Sequence, residues 1–516
     1  MRRAVWCTVV IILLTSLFAG IGIARASASD VSLQLTQQPA FFDVRSPTLL
    51  LTCVPVSLRS TVASVVRVEA KLAGSISKLE GSWAVVSAAG HFDTRAELEQ
   101  AWHAFSKPGV KAADESAFSD RLTRVLAGSA LSAIALELPR PDGARPGDVF
   151  LADIVATLDN GNQVKTSAVV VATAWTTPND WIIGDCHIHS SVGGIGHAGK
   201  SKSEIRSMAV ARGHHFTYLT DHLDLIVADI GWGGHWSGCQ SLCTTTYTMA
   251  PGCEISALGG SGDALAYGLP ATLPDLVNLR DPCALLVSRI QGPAGSGRTA
   301  AVAHPAGFTP WTDHGCGYNG CQVINDEFAF DAVPYWRHDM ASHISSCRAS
   351  AIGGSDYHWW YTSSFGEATW VYVPSWQLAS VWPGKKDAIA GAINLGRTAA
   401  TDEGSLGFFI IDGKYPGDAF SRPSGSTVYY DIRAHAIDNG YNVQFTWEFY
   451  RGSTRINNGI SGILPSGAAF SVNGLATTVQ SGAFGYSLSV RFDYLLSGQI
   501  QWTDVSYCGP TTGRNP

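Results

Sequence analysis

The chain has 516 residues, of which 46% are hydrophobic and 15% charged. This apolar content excludes a disordered protein, and the length suits about three domains. The net charge is −7, with 35 Lys and Arg against 42 Asp and Glu. We therefore expect no nucleic-acid partner, because the chain lacks a basic field that would gather phosphates.

The first 28 residues have the pattern of an export signal. Arg2 and Arg3 precede an apolar run over 9–18, and small residues follow where a signal peptidase would cleave. An uncleaved membrane anchor over 4–23 is the alternative, since that stretch is about long enough to span a bilayer. Either way, we expect a secreted or extracytoplasmic protein, in the periplasm or at the cell surface.

Cysteine usage agrees with an oxidising compartment. Of the 11 cysteines, Cys7 would leave with the signal, and an even set remains. Cys239/Cys243 and Cys316/Cys321 are candidate disulfides, since each pair is close in sequence. A structural zinc site is the less favoured alternative, because no paired C-x-x-C spacing occurs. Buried, free thiols are the favoured interpretation of the cysteines at 186 and 253, whose neighbours resemble strand interiors.

Three domains follow the signal in our interpretation. Residues 29–176 alternate as strands do and predict a β-sandwich with a helical insert, its helices at 94–105 and 114–127. Residues 177–404 alternate short apolar runs with helical stretches, which predicts βα units in a largely parallel sheet or barrel. Residues 405–516 predict a second β-sandwich, because apolar side chains recur there with period two.

The histidines crowd into the middle domain. Twelve of the 15 lie between residues 181 and 360, and four polar clusters follow four apolar runs. Because the carboxyl ends of parallel strands meet on one face, these clusters are expected to lie together. The clusters are Asp185-Cys186-His187-Ile188-His189, Thr220-Asp221-His222, Ala303-His304-Pro305 and Gly354-Ser355-Asp356-Tyr357-His358.

Their spacing favours metal binding. Residues i and i+2 of a strand point the same way, so His187 and His189 can direct both imidazoles at one ion, as can Asp356 and His358. Glu254 follows another short apolar stretch and is a candidate bridging carboxylate. A single H-x-H would be no more than a surface histidine pair, but four such clusters favour a metal site.

The order H-x-H, T-D-H, G-x-E, A-H-P, G-G-S-D-x-H and G-R-T resembles the PHP (polymerase and histidinol phosphatase) metal-dependent phosphoesterases. The flanking β-domains make it most similar to the extracytoplasmic CehA/McbA-like branch. The resemblance covers about residues 180–401. It implies a distorted (β/α)7 TIM-like barrel, flanked here by N- and C-terminal β-sandwiches, that holds two or three divalent ions of Zn, Mn or Fe. The metal ligands it implies are His187, His189, His222, Glu254, His304, Asp356 and His358.

Two further residues are candidates for the chemistry. The resemblance makes Asp221 a ligand-orienting or catalytic carboxylate. Many members of the family place an aspartate a few residues beyond H-x-H, whereas this chain has His197 in that region. His197 is therefore the candidate substitute, with an exposed loop histidine as the alternative. Asp221 or His197 would move the proton during hydrolysis.

Residues 194–201 also match the phosphate-binding loop pattern G-x-x-x-x-G-K-[ST]. We do not favour a nucleotide-binding NTPase, because an exported protein meets little ATP and metal-type motifs flank this stretch. The simpler interpretation of Ser201 and Glu204 is a capping box at the start of a helix.

The sequence as a whole predicts an exported metal-dependent hydrolase, foremost a phosphoesterase acting on a small or polymer-linked ester. Metal-activated water can also attack carboxyl centres, so a carboxyl ester, amide or carbamate hydrolase is the first alternative. A non-catalytic glycan-binding surface protein is the second. Association with the cell envelope is expected, and no feature of the sequence calls for an obligate protein partner.

Overall fold

The computed structural model describes residues 31–514, with gaps. The larger gaps cover 36–39, 58–64, 77–133, 159–162, 193–199, 257–261, 277–282, 306–310, 312–316, 326–331, 345–348, 358–366 and 375–381. The predicted export signal and both predicted helices of the N-terminal insert lie outside the described residues. Among the residues that are described, no helix has the length and apolar character needed to cross a membrane.

Seven of the described strands precede residue 174. They are β1 (Val31–Leu35), β2 (Ala40–Asp43), β3 (Thr48–Ser57), β4 (Val65–Ile76), β5 (Ile134–Pro139), β6 (Val149–Leu158) and β7 (Gln163–Thr173). They form one sheet in the order β1-β3-β5 and another in the order β2-β7-β6-β4. β6 and β7 pair antiparallel, as the turn signal Asp159-Asn160-Gly161 predicts.

The middle of the chain mixes strands and helices. Its strands are β8 (Trp181–Ile188), β9 (Phe216–Leu219), β10 (Thr248–Pro251), β11 (Cys253–Ser256), β12 (Asp263–Tyr267), β13 (Thr299–Val302), β14 (Gly320–Ile324), β15 (Ser350–Gly353), β16 (Ala368–Tyr372) and β17 (Thr398–Thr401). Its described helices are α1 (Lys202–Ala211), α2 (Leu223–Asp229), α3 (Gly231–Ser241), α4 (Cys283–Gln291), α5 (Val333–Ser342) and α6 (Gly384–Leu395).

The C-terminal part is built of strands. They are β18 (Leu406–Ile411), β19 (Ala419–Ser421), β20 (Thr427–His435), β21 (Asn442–Arg451), β22 (Thr454–Leu464), β23 (Ala469–Thr478), β24 (Ala483–Leu496) and β25 (Gln499–Arg514). The alternation predicted for β21 and β24 is observed: Phe445 lies opposite Phe492 and Trp447 opposite Val490, and all four side chains are buried. β18, β20 and β23 form a separate sheet.

The prediction of a distorted (β/α)7 barrel is wrong. The described strands outnumber the described helices by 25 to six, and they form several sheets, none of them a closed barrel. One sheet runs β11-β12-β13-β14-β15, and the other β10-β9-β8-β16-β17-β25-β24-β21-β22, with β19 beside β25. The physical reason is strand pairing: β16 and β17 lie antiparallel and continue the sheet into β25 instead of closing it on β15.

The cysteine predictions have mixed outcomes. Cys239 and Cys243 carry free thiols, so the disulfide predicted between them is wrong. Cys239 lies on the buried face of α3, and the Cys243 thiol donates to the Met249 carbonyl oxygen. Cys316 lies outside the described residues. Cys186 and Cys253 are buried and free, as favoured from the sequence.

The capping box predicted at the start of α1 is confirmed. The Ser201 hydroxyl accepts from the Glu204 backbone amide at 3.3 Å, and the Glu204 carboxylate accepts from the Ser201 amide at 2.7 Å. This reciprocal pair satisfies two backbone donors at the helix start. The last residue of the G-x-x-x-x-G-K-[ST] pattern therefore has a structural role in the fold.

Candidate metal centre

The first two histidines lie where β8 ends. His187 and His189 are two residues apart, so both imidazoles point to the same side, and both are fully buried. The Asp185 carboxylate accepts from the His187 amide at 2.9 Å and from the Ser355 hydroxyl at 2.6 Å. Burial raises the pKa of Asp185 to about 7 against these hydrogen bonds. Asp185 thus ties the H-x-H strand to the loop that follows β15.

That loop can approach β8 only because it contains glycine. A Cβ atom on Gly354 would lie 2.6 Å from the Cβ atom of His187 and 2.7 Å from the backbone nitrogen of His187, and both distances are shorter than non-bonded atoms allow. The Asp356 amide then donates to the His187 carbonyl oxygen at 2.7 Å. Asp356 has φ +50°, a left-handed backbone that is strained for a non-glycine residue and typical of functional sites.

Four buried side chains converge at the end of β8. The Asp356 Oδ1 atom lies 3.1 Å from His187 Nε2 and 3.0 Å from His189 Nε2. The Glu254 Oε2 atom lies 3.5 and 3.3 Å from the same two nitrogens. One ligand atom from each residue lies within 4.8 Å of the others, which is the arrangement a metal ion needs. We call these four residues the first ligand group.

A second ligand group shares Glu254 with the first. It consists of Glu254, Asp263 and His304, whose ligand atoms also lie within 4.8 Å of one another. The other carboxylate oxygen of Glu254 is 3.1 Å from His304 Nε2, and Asp356 Oδ2 is 3.7 Å from the same nitrogen. Glu254 and Asp356 therefore each turn one oxygen to His187 and His189 and the other to His304.

Electrostatics favour the ionised form of Glu254. Although burial opposes its charge, the charges of His222 and His187 hold the pKa of Glu254 well below its usual range. Burial also opposes the charged form of His189, but hydrogen bonds to Asp356 and Glu254 raise its pKa to about 10. In the same way, Glu254 and Asp356 raise the pKa of His304 to about 9. Metal ions and protons therefore compete for these nitrogens, since a histidine ligand must be neutral.

The two polar residues at the end of the T-D-H motif have different surroundings. His222 Nδ1 lies 3.4 Å from Glu254 Oε2, and its ring stacks on His189 with centroids 5.0 Å apart. Asp221 belongs to neither ligand group: its carboxylate accepts from the Ser190 hydroxyl at 2.7 Å and faces His235 Nδ1 at 3.6 Å. Asp221 is thus placed to orient the segment after His189.

The predicted residues His197 and His358 lie outside the described residues.

A further group, formed by His338, Asp339 and His343 around the end of α5, also has ligand atoms within 4.8 Å. Asp339 there accepts a hydrogen bond from Tyr318.

Sequence reasoning missed three residues around the centre. Asp263 begins β12, and Gln322 lies in β14, where its amide contacts His187, His304 and Gly354. His235 lies fully buried on α3 beside Asp221. None belongs to a recognisable motif. The one sequence signal for Asp263 is a carboxylate that opens an apolar run.

Comparison with known proteins does not extend this description. No family model matches the chain, and no curated protein matches it. Among solved structures, two of the beta-glucuronidase from Parabacteroides merdae are 8% and 9% identical, with TM-scores of 0.15 and 0.14. The alignments cover 74% and 75% of this chain and 56% of the enzyme, so the chain spans just over half of its length. Scores this low carry no argument about fold or function.

Proposed function

We propose that this protein is an exported metal-dependent hydrolase and that it cleaves phosphate esters. The single observation that carries the proposal is the convergence of the first ligand group, four residues that are each at most 2% exposed. Two carboxylates buried beside imidazoles form a donor set that suits a cation, and a bound cation would offset the desolvation of their charges. The motif order that resembles the PHP phosphoesterases adds to this support.

Two or three ions of Zn, Mn or Fe suit the donor set. Imidazole nitrogens favour these transition metals, and carboxylates complete their coordination. The two ligand groups joined by Glu254 support at least two positions. Divalent ions there would supply Lewis acidity toward a scissile ester and would acidify nearby water.

The chain's own residues define the open side of the centre. The side chains of His222, Asp263 and His304 are 17%, 11% and 9% exposed, whereas those of His187 and Glu254 are at most 3% exposed. An ester would therefore approach from the side of the second ligand group. Asp221, being fully buried and bonded to Ser190, orients the segment after His189. We keep His197 as the candidate proton carrier.

The substrate, in this proposal, is a small or polymer-linked phosphate ester outside the cytosol, at or near the cell envelope. No nucleic-acid partner is proposed, in keeping with the net charge of −7. No obligate protein partner is proposed either.

Metal content and an ester panel test the proposal. The mature protein, purified without chelator, is analysed by plasma mass spectrometry beside His187→Ala/His189→Ala and a control, His435→Ala. His435 stacks on Phe408 in the C-terminal part and belongs to neither ligand group. We expect about two or more equivalents in the wild type and the control, and loss of metal in the double variant.

Chromogenic phosphate and carboxyl esters then separate the chemistries. Turnover of phosphate esters that depends on added metal supports the proposal. Turnover of carboxyl esters or amides alone would replace it with the carboxyl hydrolase. A folded wild type with less than about half an equivalent of metal and no turnover would favour a glycan-binding protein instead.

A further inference from the structure

Gln322 lies in β14 between three segments that carry metal-ligand candidates, and its side chain is buried, with 1% exposure for the residue. Its Oε1 atom lies 3.0 Å from His187 Nδ1 and accepts from the His304 backbone amide, also at 3.0 Å. Its Nε2 atom donates to the Gly354 carbonyl oxygen at 2.9 Å. One amide thus joins the ends of β8, β13 and β15.

These partners settle which end of the amide is oxygen. The His304 backbone N–H can only donate and the Gly354 carbonyl can only accept, so the oxygen and nitrogen of Gln322 cannot be exchanged without losing both hydrogen bonds. An amide oxygen accepts and never donates. The contact at 3.0 Å therefore requires a hydrogen on His187 Nδ1.

The tautomer of His187 follows. A neutral imidazole with its hydrogen on Nδ1 has its free lone pair on Nε2. That nitrogen lies 3.1 Å from Asp356 Oδ1 and 3.5 Å from Glu254 Oε2, within the first ligand group. The hydrogen bond from His187 to Gln322 therefore aims the lone pair of the ring at the point where an ion would be held.

We infer that Gln322 is a positioning residue for the metal centre: it holds His187 in its Nδ1–H form with Nε2 directed at the first ligand group, and it fixes the backbone of His304. This inference rests on the proposed metal binding and deepens it. Gln322 itself lies in neither ligand group. Partners that orient a metal ligand from behind usually change metal affinity about 10- to 100-fold when they are removed.

The test measures the affinity of the full chain for Zn²⁺, by competition with a chromophoric chelator. Gln322→Leu removes the acceptor, and we expect about 10- to 100-fold weaker binding. Gln322→Glu retains the acceptor and, when protonated, can also donate to Gly354, so its affinity should return close to the wild-type value. The matched control is Gln291→Leu, a glutamine that bonds to Gly317 and Asn319 away from the centre, and it should bind normally.

Thermal unfolding of each variant separates a fold defect from a metal defect. A loss of stability in both leucine variants, with weaker binding only in Gln322→Leu, supports the inference, as does rescue by Glu. Gln322→Asn, whose shorter side chain cannot span the three partners, is measured alongside and carries the test if the leucine variant does not fold. Wild-type Zn²⁺ affinity in Gln322→Leu or Gln322→Asn overturns the inference while the proposed function stands. Failure of the wild type to bind metal overturns both.

Discussion

Two buried carboxylates in different parts of the molecule have opposite surroundings. Glu254, in the middle of the chain, lies among imidazoles, and their charges hold its pKa well below the usual range although burial opposes ionisation. Asp504, in β25, accepts from the backbone amides of Glu403 and Ser405 at 2.9 and 2.8 Å. Burial and the nearby charge of Asp402 raise the pKa of Asp504 to about 7.

The donors around these two carboxylates differ in whether a metal ion could replace them. The backbone amides that donate to Asp504 belong to the segment between β17 and β18, so this carboxylate anchors a loop and keeps the same hydrogen-bond partners. Neutral imidazole nitrogens such as those around Glu254 can ligate a metal ion, so the same contacts could be replaced by contacts to a cation. Burial alone therefore does not mark a functional carboxylate, but the kind of donor that surrounds it does.

The largest effect is expected from Glu254→Gln. The substitution preserves size but removes the charge shared by the two ligand groups. Metal content should fall from about two equivalents to less than about one, and ester hydrolysis by roughly 10³-fold, because metal Lewis acidity contributes several kcal/mol to such reactions. Plasma mass spectrometry and the ester panel measure both. Asp224→Asn, exposed on α2, is the control, and unchanged metal in Glu254→Gln would remove this residue from the centre.

Asp504→Asn should change stability and leave metal content unaltered. The pKa of Asp504 is raised in the folded protein, from 3.8 to about 7, so folding favours the protonated form. Its stabilising contribution is fully present below about pH 4 and is lost as pH rises to about 7. Relative to the Asn variant, the wild type should therefore lose up to about 4 kcal/mol of unfolding free energy over that range.

Urea unfolding at about pH 4 and pH 8 measures this difference. The contrast drawn between Asp504 and Glu254 would be contradicted if the difference in unfolding free energy between wild type and Asp504→Asn stayed constant with pH, or if the variant lost metal.

Asp263→Asn should act on one ligand group alone. Asp263 contributes to the group with Glu254 and His304 and is absent from the group with His187 and His189. We expect one equivalent of metal to bind at least about tenfold more weakly, a change of about 1.4 kcal/mol, while the other is retained. A Zn²⁺ titration followed by metal analysis reports this. Equal stoichiometry and affinity in wild type and variant would exclude Asp263 as a ligand.

The smallest effect is expected from Ser201→Ala, which removes the side-chain hydrogen bond that caps the start of α1. Loss of the cap should lower the unfolding free energy by about 1 kcal/mol. Ser207→Ala in the same helix is the control, and urea unfolding is the measurement. Metal content should stay at the wild-type value. Stabilisation of the wild type by ATP, abolished in Ser201→Ala, would instead favour the nucleotide-binding alternative.

Local signals in the sequence were good guides to ligand chemistry. His187, His189, Glu254, His304 and Asp356 were all selected because each closes an apolar run, and the structure brings them together. Gln322 could not be selected, because its role depends on contacts with His187, 135 residues away, and a lone glutamine in a strand carries no motif. Asp263 was missed for a similar reason, since it opens a strand whereas the other candidates follow one.

The sheet arrangement was beyond the reach of periodicity. Alternating apolar residues predict that β16 and β17 are strands, but they do not say which neighbours these strands choose. The choice depends on hydrogen bonds to β25, more than 100 residues later in the chain. A regular succession of strands and helices was therefore compatible with a closed barrel. In the structure, however, β17 pairs with β25 and the sheet does not close.

That pairing has a practical consequence for anyone who divides the molecule. A fragment ending at residue 404 would expose the hydrogen-bonding edge of β17 along Ala399, Ala400 and Thr401, which β25 covers in the full chain. Bare strand edges invite association with other chains. The isolated middle segment should therefore self-associate when expressed. A shortened protein for crystallisation or for an activity screen should still include β25 (Gln499–Arg514).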